Sequence, residues 1–181
     1  MNRPLLILDL DETLIWATDS DPGRQGDFRV AGYSVTKRPF LNEFLDCAFE
    51  DFDIAVWTSA TGRYARPIVA EVFRGRARLK FVWLRHKCTP RLNPETQQTF
   101  ALKDLRKVRR RGFDLERVLI VDDSPETARR NYGNLLQVAA FEGQPDDREL
   151  ADVIPFLRWI KDQPQFRSLE KRDWRTRFFA V

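Results

Sequence analysis

Five short apolar runs, each of strand length, alternate along the chain with segments whose apolar residues recur at helical spacing. The runs are nearly continuous in hydrophobicity, which is typical of strands covered on both faces. They occupy residues 5–10, 53–58, 79–84 and 117–123, with a weaker fifth at 136–141. Strands that alternate with helices predict an α/β fold with a doubly wound, mostly parallel, Rossmann-like sheet.

Other segments have the pattern of amphipathic helices, and one has the pattern of a β-hairpin. The helical patterns lie at residues 39–50, 64–73 and 146–161. Pro39 suits the first turn of its helix, whereas Pro155 lies inside the last pattern and predicts a break or a kink. Residues 28–37 alternate around Gly32 and predict a small hairpin, which would form a flap just after the first strand.

The length and composition indicate one domain spanning residues 1–181. The chain is 43% hydrophobic and 32% charged, which is the balance of a globular protein with one sizeable core. We find no internal repeat and no linker. The segments 12–37 and 62–100 are too short to hold a large cap domain once their own elements are counted, so we expect an open site.

Charge and cysteine content restrict the setting of the protein only mildly. The net charge of +4 permits an anionic substrate without requiring one. The two cysteines, Cys47 and Cys88, fit a reducing compartment. The chain has no signal-peptide pattern and no apolar stretch near the ~20 residues of a membrane helix. We therefore expect a cytoplasmic monomer without a membrane partner.

Distinctive polar residues stand where the predicted strands end, which is where ligands bind in open α/β sheets. They are Asp9 and Asp11 after the first run, Thr58 after the second, and Asp122 and Asp123 after the fourth. Lys103 lies in the segment leading to the fourth run. Asp9 and Asp11 are two apart in an extended segment, so their side chains point the same way. Such neighbouring carboxylates repel each other unless a cation or a shared proton intervenes.

Carboxylate oxygens that leave room for water and phosphate suit Mg²⁺, which offsets their repulsion of a phosphate ester. Lys103 can add positive charge facing the transferring group, and Thr58 can add a hydroxyl donor. One carboxylate can attack phosphorus and form an aspartyl-phosphate. A second can protonate the leaving oxygen and then deprotonate the attacking water.

The order of these residues resembles the motifs of the haloacid dehalogenase superfamily. Residues 9–14, Asp-Leu-Asp-Glu-Thr-Leu, resemble the first motif; Thr58 resembles the second, Lys103 the third and the pair at 122–123 the fourth. The finer patterns resemble the phosphatases of the RNA polymerase II C-terminal-domain type, also called NLI-interacting-factor-like. Those patterns lie at residues 37–41, 56–60, 102–105 and 117–125.

This resemblance implies a role for each matched residue. Asp9 would be the nucleophile and a metal ligand. Asp11 would be the general acid and base, with its backbone carbonyl on the metal. Asp122 would ligate Mg²⁺ and Asp123 would complete its outer shell. Thr58 and Lys103 would hold the phosphate, and Tyr64 and Arg85 match positions that line the substrate groove.

The sequence departs from the family at two places. Asp123 is often Asn in the closest eukaryotic branch, so the metal site here would carry one more negative charge. Residues 86–101 are longer and differ in type, which leaves the substrate open. An open site favours a phosphorylated protein or peptide, bearing phosphoserine or phosphothreonine, as substrate. A nucleotide, a nucleic-acid end or a small sugar phosphate stays an alternative. A catalytically inert binding module is a third alternative, against which Asp9 and Asp11 argue.

Other features have no assigned role in this chemistry. His86, the only histidine, is expected to face solvent. Residues 103–111 are mostly basic, which indicates either a solvated helix face or a guide for an acidic substrate or nucleic acid. Residues 167–177, with Trp174, predict either a docking tail or a terminal helix lying against the domain.

Overall fold

The computed structural model describes residues 3–19 and 26–179, with side chains described as far as residue 176. Its centre is a five-stranded parallel sheet in the order β10-β9-β1-β5-β6. These strands are β1 (Leu5–Leu8), β5 (Asp53–Trp57), β6 (Val82–Trp83), β9 (Val118–Asp122) and β10 (Leu135–Gln137). The mostly parallel α/β sheet predicted from the sequence is confirmed.

The register of the three central strands brings their carboxyl ends to one edge. Leu8 pairs with Val56 on one side and with Val121 on the other. The residues that follow these three positions, Asp9, Trp57 and Asp122, therefore lie side by side at the carboxyl edge of the sheet. This alignment decides where the acidic residues and Thr58 meet.

Consecutive residues of the central strands point to opposite faces, and both faces are covered. Leu6 and Leu8 belong to one buried cluster, which includes side chains of the helices α1 (Leu41–Asp51), α2 (Gly62–Val72) and α4 (Glu149–Ile160). Leu5 and Ile7 belong to a second cluster, beneath the short helix α3 (Arg106–Arg109) and the rings of Phe81, Trp83 and Phe113. Burial of such a leucine or isoleucine side chain stabilises a fold by ~1.5–3 kcal/mol, and the sequence places them in unbroken runs.

The predicted hairpin is present and is part of a three-stranded antiparallel sheet. Strands β3 (Phe28–Val30) and β4 (Tyr33–Lys37) form the hairpin, and β2 (Ile15–Thr18) pairs with β4 on its other side. Ala31 and Gly32 both have positive φ, as a two-residue hairpin turn requires. We call β3 and β4 the flap. Residues 20–25 of the preceding polar loop lie outside the described residues.

A second hairpin was not predicted. Strands β7 (Thr89–Leu92) and β8 (Thr99–Leu102) pair within the segment that the sequence had marked only as long and unusual. The Asn93 amide donates to the Glu126 carboxylate at 3.0 Å and ties this hairpin to the loop after β9. The hairpin is mostly exposed, so its sequence lacks the apolar alternation that identifies a strand.

The chain beyond the sheet narrows one prediction and resolves another. The sequence predicted a break or a kink at Pro155; helix α4 continues through this residue, so there is no break, and the kink stays a prediction. Residues 174–179 form α5 (Trp174–Phe179), and Trp174 is buried against Phe156 with its indole N–H donating to the Gln137 carbonyl. The C-terminal segment is therefore a helix lying against the domain. No helix within residues 3–19 and 26–179 is both long and apolar enough to cross a membrane.

Candidate active site

A tight turn after β1 places the first two acids. The Asp9 amide still bonds to the Val121 carbonyl at 3.1 Å, so Asp9 is held at the sheet edge. Leu14 then donates to the Leu10 carbonyl at 2.8 Å, and Glu12 adopts a φ of 58°. Because Glu12 has this left-handed conformation, the chain reverses direction within one turn and continues into β2 of the three-stranded antiparallel sheet. Asp9 is left nearly buried, while Asp11 is partly exposed.

Lys103 supplies the positive charge at the centre of the site. Its ammonium lies 2.8 Å from Asp9 Oδ1 and 2.6 Å from Asp122 Oδ2, and its side chain is 1% exposed. Burial alone lowers the pKa of the Lys103 ammonium, but the charges of Asp9 and Asp122 outweigh burial and raise that pKa above its usual range. The two carboxylates therefore favour the charged form of Lys103.

The unpredicted hairpin positions Lys103. The residue follows β8 directly, and its backbone N–H donates to the Thr127 carbonyl at 2.7 Å. Its own carbonyl accepts a bond from the Asn131 amide at 3.1 Å. Both contacts come from the segment after β9, so the hairpin and that segment fix the lysine together.

Asp122 is fully buried and its carboxylate has several donors. Besides Lys103, the Thr127 hydroxyl donates to Oδ2 at 2.7 Å and the Ser124 backbone N–H donates to Oδ1 at 2.9 Å. These bonds hold the carboxylate in one orientation. Sequence reasoning did not identify Thr127, and its short spacing after Asp122 was the available signal.

Thr13, in the first motif, forms two hydrogen bonds with Asp123. Its hydroxyl accepts a bond from the Asp123 backbone N–H at 3.1 Å and donates to Asp123 Oδ1 at 2.9 Å. Burial raises the pKa of the Asp123 carboxyl, and the charge of Asp122 adds to that effect. Sequence reasoning assigned no role to Thr13, although it stands inside the Asp-x-Asp-Glu-Thr motif.

Arg38 stabilises the turn that contains Thr13. Its guanidinium is buried, forms a two-pronged ion pair with Asp147 at 2.8 Å, and donates to the Thr13 carbonyl at 3.1 Å. The ring of Phe141 lies 5.3 Å from the guanidinium carbon. Arg38 therefore ties α4's leading segment to the turn that carries Thr13, and its role is positioning.

Three of the predicted metal-binding acids converge. Asp9, Asp122 and Asp123 each offer a carboxylate oxygen, and these oxygens lie within 4.8 Å of one another. One lysine cannot neutralise three carboxylates, and hard oxygen donors at this spacing suit a divalent cation such as Mg²⁺. The donor set therefore fits the metal. Asp11 is not in this carboxylate group, and its assignment as a ligand through its backbone carbonyl stays a prediction.

The nucleophile candidate shows the consequence of this crowding. Burial raises the pKa of Asp9 from 3.8 to about 8; Lys103 opposes this rise, while the charges of Asp122 and Asp11 add to it. A divalent cation favours the ionised form of such a carboxyl group. Asp9 must be ionised to act as a nucleophile, so a bound divalent cation would favour its reactive form.

Asp11 lies at the mouth of the site, against Tyr64 of α2. The Tyr64 hydroxyl donates a short hydrogen bond to Asp11 Oδ1. Burial raises the pKa of Asp11, and the Tyr64 hydrogen bond partly offsets that rise. A partly exposed carboxyl group with a raised pKa suits an acid that gives up a proton and takes it back.

The buried Thr58 follows β5, and its hydroxyl accepts a hydrogen bond from the Ala60 backbone N–H at 3.0 Å.

A groove of about 620 Å³ leads to Asp11 between the flap and α2. Tyr33 of the flap packs edge-on against Tyr64, with ring centroids 5.4 Å apart. Arg85 also lines the groove, and its Nε donates to the Ser59 carbonyl at 2.7 Å. The structure thus places both predicted groove residues, Tyr64 and Arg85, beside Asp11, and the groove has no cap over it among the described residues.

The remaining sequence features divide between structure and solvent. His86 is exposed, as expected. The basic run at 103–111 is not one solvated face, because Lys103 is buried in the site and Arg111 lies over the rings of Phe81 and Trp83. Its residues Arg109 and Arg110 are exposed. Nucleic-acid binding by this run stays untested.

The fold and the site together define a phosphatase of the haloacid dehalogenase type. The NLI interacting factor-like phosphatase family matches residues 4–167, and the chain belongs to that family. A "CTD nuclear envelope phosphatase 1 homolog" of Caenorhabditis elegans is 28% identical over 96% of this chain and 73% of its own length. A "Probable C-terminal domain small phosphatase" of Dictyostelium discoideum is 32% identical over 84% of this chain, but over only 49% of its own length.

A solved structure confirms the fold. Fcp1, described as an essential RNA polymerase II CTD phosphatase, matches 88% of this chain and 62% of its own with a TM-score of 0.66. At 20% identity this likeness shows the fold alone. The family and its named relatives give the class of activity: the chain is a phosphoric monoester hydrolase of the protein phosphatase type.

The predicted cytoplasmic location is wrong by this comparison. Relatives that align with 96% of the chain, from Caenorhabditis elegans, Drosophila melanogaster and Xenopus tropicalis, are named for the nuclear envelope. The prediction relied on two cysteines and on the lack of a signal peptide. Neither feature distinguishes the cytoplasm from another reducing compartment, because both report only the redox state and the secretory route.

Proposed function

We propose that this chain is a Mg²⁺-dependent phosphomonoesterase that removes phosphate from phosphoserine or phosphothreonine in proteins, through an aspartyl-phosphate on Asp9. The observation that carries the proposal is the convergence of Asp9, Asp122 and Asp123 around the Lys103 ammonium. Three carboxylates at a buried sheet edge repel one another and are costly to desolvate, so they require cations beside them.

Asp9, Asp122 and Asp123 would hold the Mg²⁺. When bound, the ion offsets the negative charge of the acids and polarises the phosphoryl oxygens. The Lys103 ammonium, fixed by the β7–β8 hairpin, faces the transferring group and stabilises its charge. The Thr58 hydroxyl holds a phosphoryl oxygen at the end of β5.

The carboxylate of Asp9 attacks phosphorus, and the bond between phosphorus and the ester oxygen breaks. Asp11 gives its proton to that leaving oxygen and becomes a carboxylate, which the Tyr64 hydroxyl stabilises. Asp11 then takes a proton from the water that attacks the aspartyl-phosphate, and Asp9 is regenerated as inorganic phosphate leaves.

The open groove supports a peptide substrate. No cap closes over Asp11 among the described residues, and the groove runs between the flap and α2. A site without a lid excludes water less well but admits a large substrate. The monomeric state and the single domain over residues 1–181 stay predictions.

The test is a panel of phosphopeptides and small phosphate esters, assayed by phosphate release with the parent and with Asp9→Asn. We expect the highest kcat/KM on phosphoserine or phosphothreonine peptides, and turnover lowered at least ~10⁴-fold in Asp9→Asn, since a carboxamide is no nucleophile. Activity within tenfold of the parent would refute the assignment of Asp9. A far higher kcat/KM on a nucleotide or sugar phosphate than on the phosphopeptides would refute the proposal of a protein substrate. Failure to hydrolyse any ester would indicate a catalytically inert binding module.

A further inference from the structure

The groove beside Asp11 is lined by two arginines, and among its lining residues Asp11 itself is the single acid. Arg63 comes from the first turn of α2, and Arg85 follows β6. Asp11 is committed to the catalytic centre and to the Tyr64 hydroxyl. The walls away from the phosphate site are therefore basic.

Neither arginine is neutralised by a described acid. Arg85 is anchored through its Nε to the Ser59 carbonyl at 2.7 Å, which leaves the donors of its two terminal nitrogens uncommitted in the described part of the chain. Arg63 is exposed and forms no ion pair or side-chain hydrogen bond with any residue in 3–19 or 26–179. Two guanidinium groups thus present free donors at one groove.

Some surface arginines are paired with acids: Arg74 with Glu71, Arg76 with Asp46, Arg106 with Asp104, and Arg172 with Glu170. Others, such as Arg66, Arg109 and Arg110, are exposed and have no acid partner among the described residues. What distinguishes Arg63 and Arg85 is that both line one groove beside Asp11. Unpaired guanidinium groups match carboxylate and phosphate oxygens in geometry and charge.

The target phosphate does not account for both of them. Lys103 is buried, contacts Asp9 and supplies the positive charge for the transferred group. Arg63 is exposed and lines the same groove as Asp11, so a peptide bound in the groove would bring residues that flank its phosphorylated side chain near Arg63. A second anionic group on the substrate would meet this arginine.

We infer that the groove selects phosphopeptides that carry a second anionic group next to the target residue, with Arg63 as a specificity-determining residue and Arg85 as its partner. The flanking group is an aspartate, a glutamate or a second phosphorylated residue, because guanidinium groups match carboxylate and phosphate oxygens. The apolar edge of the Tyr33–Tyr64 pair packs against the aliphatic part of the peptide. This inference rests on the proposed phosphatase function.

The test uses three phosphoserine peptides that differ only at the flanking position: aspartate, asparagine or a second phosphoserine. The parent should prefer the aspartate peptide over the asparagine peptide in kcat/KM by about threefold to tenfold, because a partly solvated charge pair is modest in strength. The doubly phosphorylated peptide should exceed that preference. Raising the ionic strength should reduce the ratio, because exposed charges are screened by salt.

Variants of α2 assign the effect to Arg63. In Arg63→Ala the preference ratio should fall to near unity, and in Arg63→Glu it should fall below one, in favour of the asparagine peptide. Arg66→Ala is the matched control, because Arg66 is an exposed arginine on the same helix that does not line the groove. Its ratio should equal that of the parent.

The outcomes separate this inference from the proposed function. A parent ratio near unity, or an equal fall in Arg63→Ala and Arg66→Ala, would overturn the inference while leaving the phosphatase intact. Loss of hydrolysis on every peptide and on a small phosphate ester would instead count against the proposed function. Binding of the same three fluorescent peptides to Asp9→Asn measures the preference without turnover, so an inactive protein still tests the inference.

Discussion

The ammonium of Lys103 lies 2.8 Å from the carboxylate of Asp9, and both side chains are nearly or fully buried. The two residues come from distant parts of the chain, and each depends on the other, since an isolated buried charge is strongly unfavourable. Asp122 shares the same ammonium at 2.6 Å. The lysine thus joins the nucleophile candidate and a metal-binding candidate in one network.

Replacing this cation should damage both activity and stability. In Lys103→Met we expect kcat to fall by about 10²–10³-fold, as for removal of one electrostatic stabiliser of a transition state. We also expect the free energy of unfolding to fall by roughly 3–5 kcal/mol, because Asp9 and Asp122 lose their buried partner. Urea unfolding and phosphate release measure the two effects. Lys87→Met, at an exposed lysine, is the control, and equal effects in both variants would contradict the role of Lys103.

Metal binding should be visible without any assay of activity. Because Mg²⁺ binds the folded site, a concentration of 100 times its Kd should stabilise the protein by about 2.7 kcal/mol, and EDTA should remove this gain together with activity. Asp123→Asn should weaken Mg²⁺ binding by about 10–100-fold, since Asp123 orients the outer part of the site.

The control for the metal experiment is Glu95→Gln, which removes an exposed acid on the β7–β8 hairpin. Its Tm shift with Mg²⁺ should match that of the parent. Metal-independent turnover of the parent, or an identical Mg²⁺ titration for Asp123→Asn, would argue against the acid cluster as the metal site.

The hydrogen bond from Tyr64 to Asp11 should set the pH dependence of turnover. Burial raises the pKa of Asp11, and the tyrosine hydroxyl lowers it by stabilising the carboxylate. Tyr64→Phe removes the stabilising donor, so the pKa of Asp11 should rise further and the pH profile of kcat should move to higher pH. An unshifted profile would show that Asp11 does not titrate in the catalytic step.

Tyr33→Phe serves as the comparison for the pH experiment. It removes a hydroxyl from the same groove wall and keeps the edge-on ring packing and the Tyr64–Asp11 bond. Its pH profile should follow that of the parent, while its KM for peptides reports any general disturbance of the groove.

The C-terminal helix should contribute to the stability of the domain. Trp174 is 1% exposed, packs against Phe156 and donates its indole N–H to the Gln137 carbonyl of β10. Trp174→Ala should therefore lower the free energy of unfolding by roughly 3–5 kcal/mol, measured as a shift of the urea midpoint. Tyr132→Ala, at an aromatic residue that is 81% exposed, should change it by less than about 0.5 kcal/mol. Equal midpoints for the two variants would indicate that α5 does not contribute to the core.

The sequence by itself determined the parallel sheet and the order of its acids. Residues 54–57 and 118–121 are apolar without a break, which is the pattern typical of short strands covered on both faces. The chain order of Asp9, Thr58, Lys103 and Asp122 predicted the class of site, because the carboxyl ends of parallel strands meet at one edge. The β7–β8 hairpin is mostly exposed, and β2 is short and only partly buried, so both have weaker patterns and neither was predicted.

The tertiary structure alone decided which of these residues touch. The Lys103 contacts with Asp9 and Asp122, the Thr13 hydrogen bonds with Asp123 and the support from Arg38 join segments that are distant in sequence. It also decided that Arg63 faces the groove while Arg66, on the same helix, does not. Strand formation follows from local periodicity, whereas these contacts depend on loop paths and on how neighbouring elements pack, and a sequence pattern contains neither.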